Sequence, residues 1–205
     1  MSASIKISLQ QPGNSERTDK GFKLHLDSTE TDPFPQGGKN VIEVNLNDNT
    51  AETGNKLLPP AALIHREIYL KYNSINAVIH STAFDTLTIS RIGNKIYPML
   101  DDFAQIIGVN VLTANDLTAD DPAGTAAEIA KKLKNRHAVL LKNNGALCCG
   151  PSKSDAAAAV MILDKNCKAV IASSIFGRGK PINPIECRLM RHGYLRRYSR
   201  KIALK

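Results

Sequence analysis

No stretch of this sequence approaches the ~20 consecutive apolar residues that a helix needs to cross a bilayer, which argues against a membrane-spanning role. The first ten residues, Met1–Gln10, carry one Lys and alternating apolar positions. They lack the charged start and continuous apolar middle of a secretory signal. Cysteine is scarce: four residues, at 148, 149, 167 and 187, form neither a CxxC pair nor a repeated zinc pattern. Reduced thiols in a cytosolic protein are the expectation. Acidic groups are outnumbered, 19 against 27 Lys and Arg, for a net charge of +8. That excess is local. Residues 186–205 hold seven basic groups and one acidic, whereas the other 185 residues hold 20 and 18. A nearly neutral body therefore carries a basic tail, a feature to be explained locally.

With 205 residues, 42% hydrophobic and 22% charged, the chain suits one globular domain that buries a core without disulfides. Ile5, Ile7 and Leu9 alternate with polar neighbours, which predicts a short strand. Gln11–Ser15 reads as a turn, Phe22–Leu26 as a second strand and Thr29–Lys39 as a loop. Val41–Leu46 predicts another strand, ended by Asn47-Asp48-Asn49. Pro59 and Pro60 open a helix with Leu63, Ile64, Ile68 and Tyr69 at helical spacing, stopping near Tyr72. Asn76–His80 suits a buried strand, Phe84–Ser90 a helix, and Ile96–Met99 the start of an irregular stretch. Further on, Thr125–Leu133 predicts a helix, Ala138–Leu141 a buried strand, Lys142–Gly145 a turn and Ala146–Cys149 an extended run. Ser152 with Asp155 resembles a capping box for a long helix over about 156–173. Asn183-Pro184-Ile185-Glu186 marks another helix start, so the basic tail is helical. There is no internal repeat. One mixed α/β domain is expected, divided into divergent N-terminal strands and loop (1–39), a core (40–182) and the basic C-terminal helix (183–205).

Three blocks carry a resemblance. His65-Arg66-Glu67-Ile68-Tyr69 leads into Ala77-Val78-Ile79-His80-Ser81-Thr82, and later comes Lys142-Asn143-Asn144-Gly145 followed by Gly150. Their order and spacing resemble the class II aldolase and adducin family. There a helical His-x-x-x-Tyr precedes a strand Val-x-His-x-His, and a later strand ends in Asn-His-Gly-x-x-x-x-Gly. The resemblance covers about residues 40–190, with Asp164 where a Glu is usual. It implies a three-layer α/β fold whose central mixed, largely antiparallel sheet is flanked by helices. It also implies three histidines on a divalent ion, commonly zinc, acting as a Lewis acid while a carboxylate moves the proton.

Carried over by position, His80 takes the first ligand place, Thr82 the second and Asn144 the third. Ala61 occupies the glutamate position, four residues before His65. Pro59 and Pro60 replace small Ser residues that help bind substrate phosphate, and proline offers no backbone donor. A lone imidazole with a hydroxyl and a carboxamide is a poor zinc site. The expectation is therefore a pseudoenzyme: no catalytic residue, no cofactor, and His80 as the remnant of a degenerate site. His80 and His65 are expected to be structural, and His137 a satisfied loop residue. Cys148 or Cys149 could rebuild a zinc site only if one of them faces the pocket. Gly13-Asn14-Ser15 is similar to the family's phosphate-binding Gly-Asn turn, but without matching context.

Arg188, Arg191, Arg196, Arg197, Arg200 and Lys201 are candidates for an anion-binding face, with Tyr194 and Tyr198 sharing one side. An acidic protein, nucleic acid or acidic lipid would suit it; the alternative is a solvated helix packed on another subunit. By family resemblance the chain forms a homo-oligomer, a tetramer, or joins a related subunit in a hetero-oligomer. The leading expectation is a non-catalytic assembly or binding module. Its rivals are a divergent sugar-phosphate aldolase or epimerase with a rebuilt metal site, and a nucleic-acid or lipid binder acting through the tail.

Overall fold

A computed structural model describes residues 12–29, 32–36, 40–47, 58–93, 95–115, 121–177 and 179–202, the side chains of 198–202 apart. Alternation along the central strands sets the architecture. In Ala138–Leu141, Val139 and Leu141 face one hydrophobic core while Ala138 and Leu140 face another. Leu147 and Cys149 likewise oppose Ala146 and Cys148 in Ala146–Gly150. A strand that is apolar on both faces must be covered on both, so helices lie on each side of the sheet. Complete burial of one such leucine contributes about 1.5–3 kcal/mol.

Among the described residues, eight strands form the sheet: β1 Asn14–Arg17, β2 Gly21–His25, β3 Val41–Asn45, β4 Ala77–Ser81, β5 Lys95–Ile96, β6 Val111–Ala114, β7 Ala138–Leu141 and β8 Ala146–Gly150. Their order is β3-β2-β1-β4-β8-β7-β6-β5. Every neighbouring pair is antiparallel except β6 with β7. One core packs under α1 (Pro60–Lys71) and α3 (Pro122–Leu133); the other packs under α2 (Phe84–Ile92), a π-helical turn (Phe103–Ile107) and α4 (Lys153–Phe176). Helix α5 (Pro184–Ile202) lies against the π-helical turn. The expected three-layer mixed α/β fold is the observed one. No helix among the described residues is long and apolar enough to cross a membrane.

Local chemistry explains the boundaries. In α1, Pro60 occupies the first turn, where a missing N–H costs nothing. At the head of α4, the Ser152 hydroxyl accepts from Asp155 N and donates to Asp155 Oδ2. Asn183 Oδ1 accepts from Ile185 N at the start of α5. Helix α3 begins a turn earlier than expected, because Asp121 accepts from Gly124 N and Pro122 follows it.

Three expectations require correction. Asn14-Ser15 is not a turn but the start of β1; the polar sequence Asn-Ser-Glu-Arg is held extended by ladders to β2 and β4. After Met99 the chain is not merely irregular, since it builds the π-helical turn and β6. Ile96 pairs with Val111 as a two-residue strand. The predicted strand at Ile5–Leu9 lies outside the described residues.

Candidate functional site

His80 is the penultimate residue of strand β4, which ends at Ser81 and leads directly to Thr82. Residues two apart on an extended chain share a side, and His80 and Thr82 indeed line one pocket of about 150 Å³. Gly13, Asn14, Leu26, Ser28 and Thr29 complete its wall. Gly13 has φ +73, and a Cβ there would lie 2.7 Å from the His25 carbonyl oxygen. Glycine thus lets the chain turn tightly into β1 and bring Asn14 beside β4. The Asn14 side chain is buried and spans two elements. Its Oδ1 accepts from His80 N at 2.7 Å and its Nδ2 donates to the Pro33 carbonyl at 3.1 Å.

The opposite flank is the β7–β8 turn. Asn143 is left-handed (φ 61), as is Gly145 (φ 73), where a Cβ would lie 2.1 Å from Ser81 O. Gly145 N also donates to the Ser90 hydroxyl. This turn presents a carbonyl to the histidine: His80 Nε2 donates to Asn144 O at 2.8 Å. A carbonyl can only accept, so the proton is assigned to Nε2.

Beneath the pocket lies a polar chain inside the core. His65 is fully buried, with Nε2 2.9 Å from Pro12 O and Nδ1 2.6 Å from Ser15 Oγ. Ser15 Oγ is also 2.8 Å from the Tyr69 hydroxyl. One proton order satisfies all three contacts: Tyr69 donates to Ser15, Ser15 to Nδ1, and Nε2 to Pro12. Burial holds His65 at a pKa of about 4, with nearby His80 adding to the depression, so the ring is neutral. Burial also pushes the Tyr69 phenol up. Phe22 stacks on this group, with ring centroids 6.3 Å from His65 and 5.1 Å from Tyr69. Arg17 lies over Tyr69 and donates to the carbonyls of Tyr69, Tyr72 and Ile75, closing the C-terminus of α1.

The chain between 37 and 171 matches the family model described as the Class II Aldolase and Adducin N-terminal domain. The chain belongs to that family. Among solved structures, an L-fuculose 1-phosphate aldolase has TM-score 0.73 at 19% identity, covering 95% of this chain and 97% of that one. YgbL from Escherichia coli, titled a putative aldolase/epimerase/decarboxylase, gives TM-score 0.69 at 20% identity over 91% and 95%. The L-fuculose-1-phosphate aldolase of Thermus thermophilus gives 0.66 at 17% over 88% and 100%. Likeness at this identity speaks to the fold. No curated protein matches the sequence.

Of the positions singled out from the family's pattern, His80 and Thr82 share the pocket and Asn144 reaches His80 through its backbone. Ala61 is buried in the core under α1 and does not line the pocket. Asp164, the family's Glu position, accepts from Thr86 N and Thr86 Oγ1, both at 2.9 Å, and so caps α2 from a distant helix. Cys148 and Cys149 are both fully buried, one in each core. Gly13-Asn14 proves to be pocket wall, although the sequence reading gave it no context. A glycine followed by a short amide just before a strand was the available signal.

On α5, Arg188, Arg196 and Arg197 are exposed, whereas Arg200 and Lys201 have no described side chains. Arg191 departs from the expected outer face. Its Nη1 donates to the carbonyls of Gln105 and Ile106, at the end of the π-helical turn. Tyr194 turns inward as well, lining a cavity with His137 and Asp155. The His137 pKa falls to about 4 through burial and the Arg191 charge.

Proposed function

We propose that this protein is a non-catalytic member of the class II aldolase and adducin family, serving as an assembly or binding module. The observation that carries the reading is the donor set around His80: Thr82 shares its pocket, and Asn144 offers its carbonyl to the ring's Nε2–H. The proton on Nε2 leaves Nδ1 as the one nitrogen of this ring with a lone pair, and a single imidazole does not hold zinc tightly. At the other ligand positions, Thr82 supplies a neutral hydroxyl and Asn144 a carboxamide, neither a strong zinc donor. Neither cysteine supplies a thiolate, because burial pushes Cys148 and Cys149 up. This donor set does not fit a catalytic divalent ion.

The second half of the chemistry is missing too. Ala61 replaces the carboxylate that would move the proton. A positioned acid–base group contributes roughly 10²–10⁴-fold and a Lewis-acid metal several kcal/mol of transition-state stabilisation. Losing both leaves a scaffold with a small polar pocket, suited to binding or assembly. A homo-oligomer, or a hetero-oligomer with a related subunit, follows from the family's habit. The four cysteines are buried and unpaired, which supports a reducing, cytosolic setting.

Metal analysis of full-length protein purified without added zinc, paired with an L-fuculose 1-phosphate cleavage assay, tests the reading. The expected result is zinc far below one ion per chain and no turnover. Stoichiometric zinc that disappears in His80→Ala, together with cleavage activity, would overturn it in favour of a divergent enzyme.

A further inference from the structure

A second cleft, sharing no lining residue with the His80 pocket, lies where the end of α3 meets α5. Its volume is about 270 Å³, and Gly108, Lys134, Arg136, Arg188 and Arg191 line it. Four cations converge there, and no carboxylate is among the lining residues. Among the described residues, none of the four is in an ion pair. Both partly buried guanidiniums are held by neutral oxygens alone. Arg136 Nε donates to Asn110 Oδ1 at 2.7 Å and its Nη1 to Lys132 O at 3.4 Å. Arg191 donates to Gln105 O and Ile106 O. Buried charges are ordinarily paired with an opposite charge. Burial lowers the pKa of Arg191 to about 10 and lowers that of Arg136, with only tyrosines acting in the opposite direction. Both groups remain cationic at neutral pH.

We propose that this cleft is a binding site for a phosphoryl group. Arg136 and Arg191, aimed by their carbonyl and carboxamide contacts, form its floor, and Lys134 and Arg188 close over it from the exposed rim. Planar guanidiniums match tetrahedral oxyanions through paired hydrogen bonds, and a multiply charged anion suits four converging cations better than one carboxylate does. Two features argue against a nucleic acid. The volume is below the ~300–1,000 Å³ of sites for drug-sized molecules, and no aromatic ring lines the cleft to stack a base. The site is independent of the reading of the His80 pocket.

Calorimetric titration of the full-length protein with inorganic pyrophosphate at low ionic strength tests it. Saturable binding of one pyrophosphate per chain is expected, weakened at least about tenfold in Lys134→Glu/Arg188→Glu, which removes two charge-assisted contacts. Arg196→Glu/Arg197→Glu changes the net charge equally but leaves the cleft intact, and should retain affinity within about twofold. Absence of saturable binding, or equal weakening by both double variants, would overturn the proposal. So would an oligonucleotide that binds while pyrophosphate does not. The milder Arg188→Gln, expected to weaken binding severalfold, serves if the charge reversal disturbs folding. Vesicles containing phosphatidylinositol monophosphate distinguish the source. Binding that pyrophosphate displaces assigns a lipid headgroup; pyrophosphate binding without vesicle binding assigns a soluble phosphate compound.

Discussion

His65 and His80 both meet the Pro12–Ser15 segment, one from helix α1 and the other from strand β4, yet they are bound by different rules. Both ring nitrogens of His65 are engaged inside a sealed core, and its proton order is fixed through Ser15 and Tyr69. His80 stands half-buried at the rim of a pocket, its backbone held by Asn14 and its Nε2 by a turn carbonyl. The difference teaches that persistence of a family histidine can have two physical meanings. One residue is retained because the core is built around it. The other stands at a pocket rim, beside Thr82 and against the Asn144 carbonyl.

The comparison breaks most directly by truncation. His65→Ala opens a cavity and leaves the Pro12 carbonyl without its donor, so it should cost about 3–4 kcal/mol in urea unfolding. His80→Ala, at a pocket rim where water can replace the ring, should cost about 1 kcal/mol. Equal costs would erase the distinction.

Acid titration sharpens it. The neutral form of His65 is favoured in the folded state, with a pKa of about 4 against 6.5 in an ordinary setting. Below pH 6.5 the unfolded chain binds a proton that the folded chain refuses, so stability is complete above 6.5 and falls as the pH drops toward 4. The loss attributable to this ring is about 3 kcal/mol. In His65→Gln the slope of stability against pH between 6.5 and 4 should fall by close to one proton. An unchanged slope would mean that the ring is not sealed.

An effect closer to that of His80 concerns Asp164, the carboxylate that caps α2. Replacing it by Ala removes two hydrogen bonds to the first turn of α2 and should cost about 1–2 kcal/mol, measured by chemical unfolding. A larger loss would place Asp164 at the level of His65.

Much of the scaffold was legible because local and global signals agreed there. Pro60, Ser152 and Asn183 mark helix starts that the structure keeps, and the apolar runs at 77–80 and 138–141 are the doubly covered strands. Legibility failed where tertiary pairing overrode composition. Asn14-Ser15-Glu16-Arg17 has little strand propensity, and only its neighbours on both sides make it β1. Val111–Ala114 is short, and its parallel pairing with β7 leaves no hairpin signature in the sequence. At the candidate site, His80, Thr82 and Asn144 could be placed through the spacing of the family's blocks. Sequence could not say that Asn144 would act through its carbonyl. Nor could helical spacing foresee Arg191, which carries the same charge as its neighbours but points into the protein.

Strand β8 places Cys148 and Cys149, successive residues, at the centres of two separate cores. A slip of one residue in its pairing would exchange the occupants of both layers at once, moving Leu147 and Cys149 to the side shaped for Ala146 and Cys148. Misalignment is thus penalised twice, on opposite sides of a single strand. That double penalty holds β4 and the neighbouring β7–β8 turn in the alignment that sets His80 against the Asn144 carbonyl.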